Sequence, residues 1–318
     1  MYTKVKVAVI GYGHLGKWHA QKVEILKNSE LVAIVDTSSE SRQRAKEAHP
    51  GIIITDDLSS IMDKINAAII VTPTSSHFDL VKYLLTNSKH VFCEKPLTET
   101  FAQAGEIVQM LYKHEVVLQV GHSERFHEIF ERLDDYSAFF NHSGMIVMNR
   151  IAPFKGRATD VDVVQDLMIH DLDLLMHLFK EVPNRVSSIG FKIRTQKWDH
   201  VTSTFEFSSG RKAFLTVGRN YVKEVRSLEV TNKFGTLYID LMNNEILLAS
   251  ENTTNTKDYV KKNSYEKRDH LLIEQQHFYR SIIDMKHPIV DARAGRNVIK
   301  LLDKVTQSLE TGDAIRID

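Results

Sequence analysis

The chain has 318 residues, of which 42% are hydrophobic and 26% are charged, and this length and composition predict a soluble globular protein of two domains. Lysine and arginine together number 41, as do aspartate and glutamate, so the formal net charge is zero. A neutral chain gives no reason to expect nucleic acid or an acidic membrane surface as a partner.

The single cysteine excludes an intramolecular disulfide and a zinc site built from several cysteines. The first residues, MYTKVKVAVIGYG, contain no apolar core of signal-peptide length. The sequence also contains no apolar run long enough to cross a membrane. We therefore expect a cytoplasmic protein.

The first part of the chain alternates short apolar segments with helical patterns. Strands are predicted at residues 4–10, 31–35, 52–54, 67–71, 91–93 and 116–120, and helices at residues 17–27 and 38–48. Ser38 or Ser39 is the expected N-cap of the second helix. Short apolar strands that alternate with helices predict an α/β fold, a doubly wound parallel sheet with helices on both faces.

A glycine motif, GYGHLG, follows the first predicted strand and opens the first helix, and Asp36 ends the second strand. This combination is the fingerprint of a dinucleotide-binding Rossmann domain. Gly11 allows the tight turn, Gly13 lets backbone amides approach a pyrophosphate, and Gly16 lets the helix pack closely on the strand. The N-terminus of the helix adds partial positive charge.

The choice of dinucleotide depends on Asp36, whose carboxylate would accept hydrogen bonds from the ribose hydroxyls and would repel a 2′-phosphate. This favours NAD. NADP stays open because Arg42 could pair with that phosphate. The alternative without a ligand is a Rossmann-like sheet that binds no nucleotide. A kinase glycine loop is excluded because the sequence has no HRD or DFG.

The second half of the chain changes to longer alternating strands. They are predicted at residues 144–152, 186–194, 201–207, 212–219, 227–231 and 236–240, with helices at 164–179, 268–285 and 292–310 and a hairpin with a mobile tip at 243–263. This order predicts an α+β domain with a large open-faced, mainly antiparallel sheet. The domain boundary is placed near Gly121, giving residues 1–121 and 122–318. A second subunit would cover the open face, which predicts a homodimer or homotetramer.

The sequence FCEKPLTET places Lys95 at the carboxyl end of a predicted strand, between Glu94 and Pro96. Sheets of this class bind their ligands at that edge. Pro96 keeps Lys95 out of the helical backbone region and leaves a cis peptide bond as one option. Lys95 could hold a substrate hydroxyl or relay its proton; the alternative is a surface lysine before a helix.

A stripe of acidic residues and histidines lies on the helix predicted at residues 164–179. Asp166 and His170 are four residues apart and therefore share one helix face, and Asp173 and His177 continue the stripe. A carboxylate beside an imidazole orients it, and histidine titrates in the range needed to accept a proton from an alcohol. A metal site is a weaker interpretation because no closed ligand set is visible. The structural alternative is that His170 is a buried histidine of the core.

GYGHLG, CEKP and the D-x-x-x-H of Asp166 and His170, in this order over most of the chain, resemble the glucose-fructose oxidoreductase, inositol dehydrogenase and MocA (Gfo/Idh/MocA) family. The resemblance implies a Rossmann domain followed by an open-faced sheet domain that mediates oligomerisation. It also implies an NAD-dependent dehydrogenase that transfers hydride between the nicotinamide and a sugar-like alcohol. In that family's pattern Lys95 would touch the reacting oxygen, Asp166 would position the substrate or the base, and His170 would be the acid/base.

The resemblance also assigns binding residues. It implies a cofactor site formed by Gly11, Tyr12, Gly13, His14, Leu15, Gly16, Asp36, Thr37, Thr72, Pro73, Thr74, His77, Glu94 and Lys95. The segment GHSERF resembles one that carries an asparagine and an arginine near the active site. Ser123 replaces the asparagine here, which puts its contact in doubt, and Arg125 matches the arginine.

A narrower resemblance joins VGHSERF to RIAPFKGRATDVDVVQDLMIHDLDLL. These segments look like the members that act on UDP-N-acetylhexosamines, above all those that oxidise the 3-hydroxyl of UDP-N-acetylglucosamine on the way to lipid A. Arg150, Lys155 and Arg157 could bind a diphosphate because arginine suits phosphate oxygens; the alternative is solvated loop charges.

Rival functions stay open at this point. Within the enzymes, a free-sugar or inositol dehydrogenase is the main rival, and a reductase of a planar ligand such as biliverdin is a remoter one. Some proteins on this scaffold are non-catalytic sensors or repressors that bind a dinucleotide. The combination of Lys95, Asp166 and His170 favours an enzyme over these.

Overall fold

A computed structural model of the protein describes residues 4–250 and 260–317. The chain divides into two compact units, the first formed by Met1–Phe126 and Asp269–Ile299 and the second by His127–Arg268 and Lys300–Asp318. None of the helices in the described part of the chain is long and apolar enough to span a bilayer.

The first unit contains a six-stranded sheet in the order β3-β2-β1-β4-β5-β6, in which every neighbouring pair is parallel. Its strands are β1 (Val5–Ile10), β2 (Ser29–Val35), β3 (Ile53–Thr55), β4 (Ala67–Ile70), β5 (His90–Glu94) and β6 (Leu118–Gly121). Its helices are α1 (His14–Ile25), α2 (Ser39–Ala48), α3 (His77–Thr86) and α4 (Phe101–Leu111). The predicted doubly wound sheet is confirmed, and Ser38 is the N-cap of α2.

Apolar side chains cover both faces of this sheet. In β1, Val5, Val7 and Val9 belong to one buried cluster, whereas Ala8 and Ile10 belong to another. Strands that are buried on both faces carry near-continuous hydrophobic runs, which is why the sequence of this unit reads as short apolar segments rather than alternating ones.

The segment Asp269–Ile299 returns to the first unit, although the sequence placed all residues after 121 in the second domain. It carries α7 (His270–Asp284) and the start of α8 (Ala292–Thr311). Phe278, Tyr279 and Ile282 of α7 are buried in the same cluster as the valines of β1. This long-range packing has no local signature in the sequence. The predicted boundary near Gly121 therefore lies close to only the first of the three places where the chain passes from one unit to the other.

The second unit contains a nine-stranded sheet in the order β14-β13-β12-β11-β7-β10-β9-β8-β15. Its strands are β7 (Met145–Ile151), β8 (Arg185–Phe191), β9 (His200–Glu206), β10 (Lys212–Gly218), β11 (Val225–Asn232), β12 (Gly235–Asp240), β13 (Glu245–Ser250), β14 (Val260–Ser264) and β15 (Ile315–Arg316). The β10–β7 pair is parallel and the other pairs are antiparallel, which confirms the mainly antiparallel prediction. The tip of the predicted hairpin, residues 251–259, lies outside the described residues.

Side chains alternate along the nine-stranded sheet, so one of its faces is buried and the other is not. One row of the second face runs across seven strands in register. Its members are Leu247, Tyr238, Glu229, Val147, Phe214, Thr204 and Ser187. Ile189 and Phe191 at one end of the same face are 61% and 56% exposed. Within this unit the face therefore carries apolar and polar side chains and is incompletely covered.

The second unit contains α5 (Ser137–Asn141), α6 (Ile169–Phe179) and the end of α8. The sequence predicted one continuous α-helix from residue 164. The structure instead has a π-helical segment at Val164–Met168 before α6 begins. Single π-helical turns are rare and occur often at functional sites, and this one contains Asp166.

Candidate active site

The glycine turn after β1 is packed too tightly for side chains at two of its three glycines. Gly11 has a φ of +94°, and a Cβ there would lie 2.6 Å from the carbonyl oxygen of Val71. A Cβ on Gly16 would lie 2.1 Å from the carbonyl oxygen of Gly11. A Cβ on Gly13 would meet nothing within 4 Å, and His14 and Leu15 are exposed, so the N-terminal turn of α1 is open to a ligand.

Asp36 joins the glycine turn after β1 to the loop after β2. Its carboxylate accepts hydrogen bonds from the backbone N–H groups of Tyr12 at 2.6 Å and Ser38 at 2.8 Å. The side chain of Tyr12 is buried, and its hydroxyl lies 2.9 Å from Nε2 of His49, so only the backbone of Tyr12 faces the glycine turn.

Arg42, the residue that could pair with the 2′-phosphate of NADP, is held beside the same loop. Its Nη1 donates to the carbonyl oxygens of Asp36 at 2.8 Å and Thr37 at 2.9 Å, and its Nη2 lies 3.1 Å from a carboxylate oxygen of Asp56. The guanidinium therefore supports the loop that presents Asp36.

The residues that follow β4 form a short turn anchored by a histidine. Pro73 is the N-cap of a 3₁₀ turn at Thr74–Ser76, and the hydroxyl oxygens of Thr72 and Ser76 lie 2.6 Å apart. His77 is buried, with Nε2 2.9 Å from the Thr72 carbonyl oxygen and Nδ1 2.8 Å from that of Pro96. His77 thus ties this turn to the segment after β5, where the Lys95–Pro96 peptide bond is cis.

Glu94 is held by a buried histidine that the sequence did not single out. Nε2 of His19 lies 2.8 Å from Oε1 of Glu94, and the backbone N–H of Lys95 donates to Oε2 at 3.2 Å. Burial would raise the pKa of Glu94, but the His19 hydrogen bond and the charges of His19 and Lys95 outweigh it, so this pKa is lowered. Gly121 leaves room for the carboxylate, because a Cβ there would lie 2.9 Å from it.

A chain of hydrogen bonds continues from His19 into α7. Nε2 of Gln275 lies 2.9 Å from Nδ1 of His19, and the Tyr279 hydroxyl donates to Oε1 of Gln275 at 3.0 Å. All three side chains are buried. If the Gln275 amide donates to Nδ1, the proton of His19 is on Nε2 and points to Glu94. The returning segment Asp269–Ile299 therefore helps to orient Glu94 and, through it, the backbone of Lys95.

The first unit brings the predicted cofactor residues to one edge of its sheet. The glycine turn, Asp36, Thr72–Thr74 and Glu94–Lys95 follow the carboxyl ends of β1, β2, β4 and β5. Ser123 and Arg125 follow β6, and Nη1 of Arg125 donates to the Ile289 carbonyl oxygen at 3.0 Å. This is the edge at which open α/β sheets bind their ligands.

The second unit holds Asp166 and His170, both half-buried, on the π-helical segment and the first turn of α6. The neighbouring Asp171 is buried and accepts hydrogen bonds from Nε and Nη2 of Arg150, at 2.9 and 2.8 Å. Arg150 lies on β7, so this pair joins α6 to the centre of the sheet. The structure therefore gives Arg150 a buried internal partner, whereas the sequence proposed it for the substrate.

A second buried pair positions the loop that carries Lys155 and Arg157. Nε of Arg219 donates to Asp199 at 2.7 Å, and Nη1 donates to the carbonyl oxygens of Ala158 and Val161 at 2.5 and 2.9 Å. Asp199 also accepts three backbone N–H groups, those of residues 193, 194 and 195. Burial would raise the pKa of Asp199, but the Arg219 hydrogen bond and these N–H donors hold it well below its ordinary value.

Asp166, Arg150, Lys155 and Arg157 line one cleft of about 80 Å³ in the second unit, and Arg219, Glu224 and Arg226 line it as well. The sequence did not single out the last three, because they lie some sixty residues downstream of the loop, in a stretch that reads as the end of one strand and the start of the next. The only local signals were Asp199, just before β9, and Arg219, just after its neighbouring strand β10.

A glycine turn at a helix N-terminus and an acidic residue at the end of β2 define a dinucleotide-binding Rossmann protein, and Lys95 follows β5 at the same edge of the sheet. A family model described as an oxidoreductase family with an NAD-binding Rossmann fold matches residues 5–122, and the GFO/IDH/MocA C-terminal domain matches residues 140–238. The chain belongs to the glucose-fructose oxidoreductase, inositol dehydrogenase and MocA family of NAD-binding oxidoreductases.

Two relatives illustrate the range of this similarity. A UDP-N-acetylglucosamine 3-dehydrogenase of Acidithiobacillus ferrooxidans is 30% identical over 312 residues, which cover 96% of this chain and 97% of the relative. A scyllo-inositol 2-dehydrogenase (NAD(+)) of Bacillus subtilis is 25% identical over 341 residues, which cover 100% and 98%.

Solved structures agree with the fold described above. That of the Acidithiobacillus ferrooxidans enzyme has a TM-score of 0.88 at 29% identity and covers 96% of this chain and 98% of its own. A Lactobacillus casei scyllo-inositol dehydrogenase with bound NAD(H) and scyllo-inositol has a TM-score of 0.84 at 20% identity, with 99% of both chains covered, and shows the likeness of fold alone.

The residues of the first unit fit NAD. The open position at Gly13 leaves room for a pyrophosphate at the N-terminus of α1. Asp36 is held by two backbone N–H groups, and its carboxylate suits the hydroxyls of an unphosphorylated ribose.

We expect His19 and Glu94 to be energetically coupled. His19→Leu should lower the free energy of unfolding by about 3 kcal/mol, because it leaves a buried carboxylate without its main side-chain donor. The double variant with Glu94→Gln should lose less than the sum of the single losses, with a coupling energy of about 1–3 kcal/mol in a denaturant-unfolding cycle.

The pair His49 and Glu24 provides a matched control. Its atoms are 2.7 Å apart, but the Glu24 side chain is 43% exposed, so the coupling there should be below about 1 kcal/mol. Equal coupling energies in the two cycles would contradict a special role for the His19–Glu94 bond.

The pair Asp199 and Arg219 predicts a pH-dependent loss of stability. Asp199→Asn should cost about 3 kcal/mol at pH 7, because it leaves Arg219 without its buried counter-charge. Since the pKa of Asp199 is lowered in the folded state, its contribution is complete above the unfolded pKa and disappears as the pH falls through the folded pKa. Urea unfolding should show a constant difference in the free energy of unfolding between the unmodified protein and Asp199→Asn from pH 7 to about pH 5, and this difference should narrow below about pH 4. A difference that widens in acid would contradict this assignment.

Proposed function

We propose that this protein is an NAD-dependent dehydrogenase that oxidises the 3-hydroxyl of a UDP-N-acetylhexosamine to a 3-keto sugar. The observation that carries the proposal is the cleft of the second unit, which combines Asp166 with Lys155, Arg157 and Arg226. Cationic side chains suit a diphosphate, whereas an inositol or a free sugar offers no charge to such a group of residues.

The similarity to a UDP-N-acetylglucosamine 3-dehydrogenase across nearly the whole of both chains supports this substrate class. The keto product would be ready for amination by a separate aminotransferase, as in a route to lipid A or another surface polysaccharide. We place the reaction in the cytoplasm, where both NAD and a nucleotide sugar are available.

The proposed mechanism assigns one task to each of three residues. His170 accepts the proton of the reacting hydroxyl, since an imidazole titrates near neutral pH. Lys95 stabilises the negative charge that develops on the oxygen, and Asp166 orients the substrate or the base. NAD, when bound, accepts the hydride, and the protein supplies position and charge.

A free-sugar or inositol dehydrogenase is the second candidate, because full-length similarity extends to inositol dehydrogenases. A non-catalytic dinucleotide-binding sensor or repressor is the candidate from another class. Lys95, Asp166 and His170 argue against it, because a sensor needs no acid/base group.

Thermal unfolding with NAD, UDP and UDP-N-acetylglucosamine tests the substrate class. Ligands that bind only the folded state raise its stability, by about 2.7 kcal/mol at a hundredfold excess over the dissociation constant. We expect a shift with NAD and a further shift with UDP. A shift with NAD and with scyllo-inositol, but none with UDP or its sugar, would reject the nucleotide-sugar proposal in favour of the second candidate.

Lys95→Ala and His170→Ala test the catalytic assignment. Each should reduce the turnover of UDP-N-acetylglucosamine by about 10²- to 10⁴-fold while the affinity for NAD, measured by calorimetry, is retained. Lys113→Ala and His287→Ala, which change exposed residues of the same types, should leave turnover unchanged. Turnover at the unmodified level in either test variant would remove that residue from the mechanism.

We also propose that the incompletely covered face of the nine-stranded sheet joins two subunits in a homodimer, alone or as part of a homotetramer. Phe214 and Val147 lie in one row of that face, where a partner would bury them. Phe214→Asp should therefore lower the molecular mass measured by sedimentation, whereas Tyr112→Asp, at a site 66% exposed in the first unit, should not. A monomeric unmodified protein would contradict the proposal.

A further inference from the structure

The cleft of the second unit is lined by five cationic side chains, but two of them have buried carboxylate partners. The five are Arg150, Lys155, Arg157, Arg219 and Arg226. Arg150 is paired with Asp171, and Arg219 is paired with Asp199. Because breaking a buried ion pair leaves an uncompensated charge, these two arginines are committed to holding the fold of the cleft.

The other three cations all act on the carboxylate of Glu224. Nζ of Lys155 donates to Oε2 of Glu224 at 2.6 Å. This hydrogen bond, together with the positive charges of Lys155, Arg226 and Arg157, lowers the pKa of the Glu224 carboxyl. The Glu224 carboxylate thus lies close to three cationic groups, and such a group of cations suits an anionic ligand.

Both side chains of the Lys155–Glu224 pair are accessible to solvent, at 46% and 35% exposed, and Glu224 follows an exposed segment in which Val222 is 87% exposed. The backbone of the loop that carries Lys155 and Arg157 is held by Arg219, which donates to the carbonyl oxygens of Ala158 and Val161. The two side chains can therefore separate while the backbone of the loop stays in place.

We infer that Glu224 occupies the diphosphate site of the free protein and that the diphosphate of the substrate displaces it. This inference rests on the proposed function. A diphosphate carries more charge and more acceptor oxygens than one carboxylate, and arginine side chains bind phosphate oxygens through paired hydrogen bonds. An exposed Lys–Glu pair contributes little stability, so its loss costs little.

The same arrangement discriminates against neutral ligands. A free sugar or an inositol has no charge to offer in place of the Glu224 carboxylate and cannot displace it from Lys155. Asp166 lines the cleft as well, and a carboxylate does not attract phosphate groups. Glu224 is thus a specificity-determining residue that competes with the substrate.

The test is the dissociation constant of inorganic pyrophosphate and of UDP, measured by calorimetry on the full-length protein. Glu224→Gln removes the competing charge and should tighten the binding of both ligands by about two- to fivefold. Lys155→Met and Arg157→Met remove attractive charges and should weaken it by a similar factor. Glu106→Gln is the matched control, because Glu106 pairs with Lys82 at the same distance of 2.6 Å and with similar exposure.

The outcomes separate this inference from the proposed function. Tighter pyrophosphate binding by Glu224→Gln, without turnover of UDP-N-acetylglucosamine by the unmodified protein, would support the anion site and reject the substrate. Turnover of that sugar, with pyrophosphate and UDP binding unchanged or weakened by Glu224→Gln, would overturn the displacement while the substrate stands. An equal effect of Glu106→Gln would also overturn it.

Discussion

The hydrogen bond between His19 and Glu94 is the constraint on which the arrangement of the first unit depends. It links the helix that follows the glycine turn to Glu94, the last residue of β5, and Gln275 extends it to the segment that returns near the end of the chain. A buried carboxylate is stable only where donors compensate for its lost hydration. Here a side chain and a backbone N–H do so, and the backbone N–H is that of Lys95 itself. The proposed catalytic lysine is therefore fixed by the interaction that stabilises its neighbour.

In the second unit, two buried ion pairs compensate for the lost hydration of buried charges. Arg150–Asp171 holds the helix of His170 against the sheet, and Arg219–Asp199 holds the loop of Lys155. Such pairs are weak contributors to net stability but strong constraints on geometry, because separating either partner is costly. Structural cations and the cations that we propose to bind the diphosphate thus lie in one cleft, and burial distinguishes the two groups.

Local sequence patterns predicted the parts of the molecule that depend on local physics. The glycine turn, the acidic end of β2 and the alternation of short apolar strands with helices each follow from backbone sterics or periodicity, and the fold class built on them is confirmed. The stripe of Asp166 and His170 was also visible, although the π-helical segment beneath it was not.

The remaining features depend on contacts between distant parts of the chain. The return of Asp269–Ile299 to the first unit, the His19–Glu94 bond and the placing of Glu224 among three cations join residues separated by tens to hundreds of positions. Arg150 shows the limit most clearly: its sequence position suggested a phosphate ligand, but Asp171, which lies 21 residues away, neutralises it.

In the reaction that we propose, hydride leaves C3 of a UDP-N-acetylhexosamine and reaches NAD. UDP-N-acetylglucosamine labelled with deuterium at C3 tests this directly when it is incubated with the protein and NAD and the reduced cofactor is analysed by mass spectrometry. We expect reduced NAD that carries one deuterium, together with a 3-keto sugar nucleotide. Reduced NAD without deuterium, or no reduction while an inositol is oxidised under the same conditions, would contradict it.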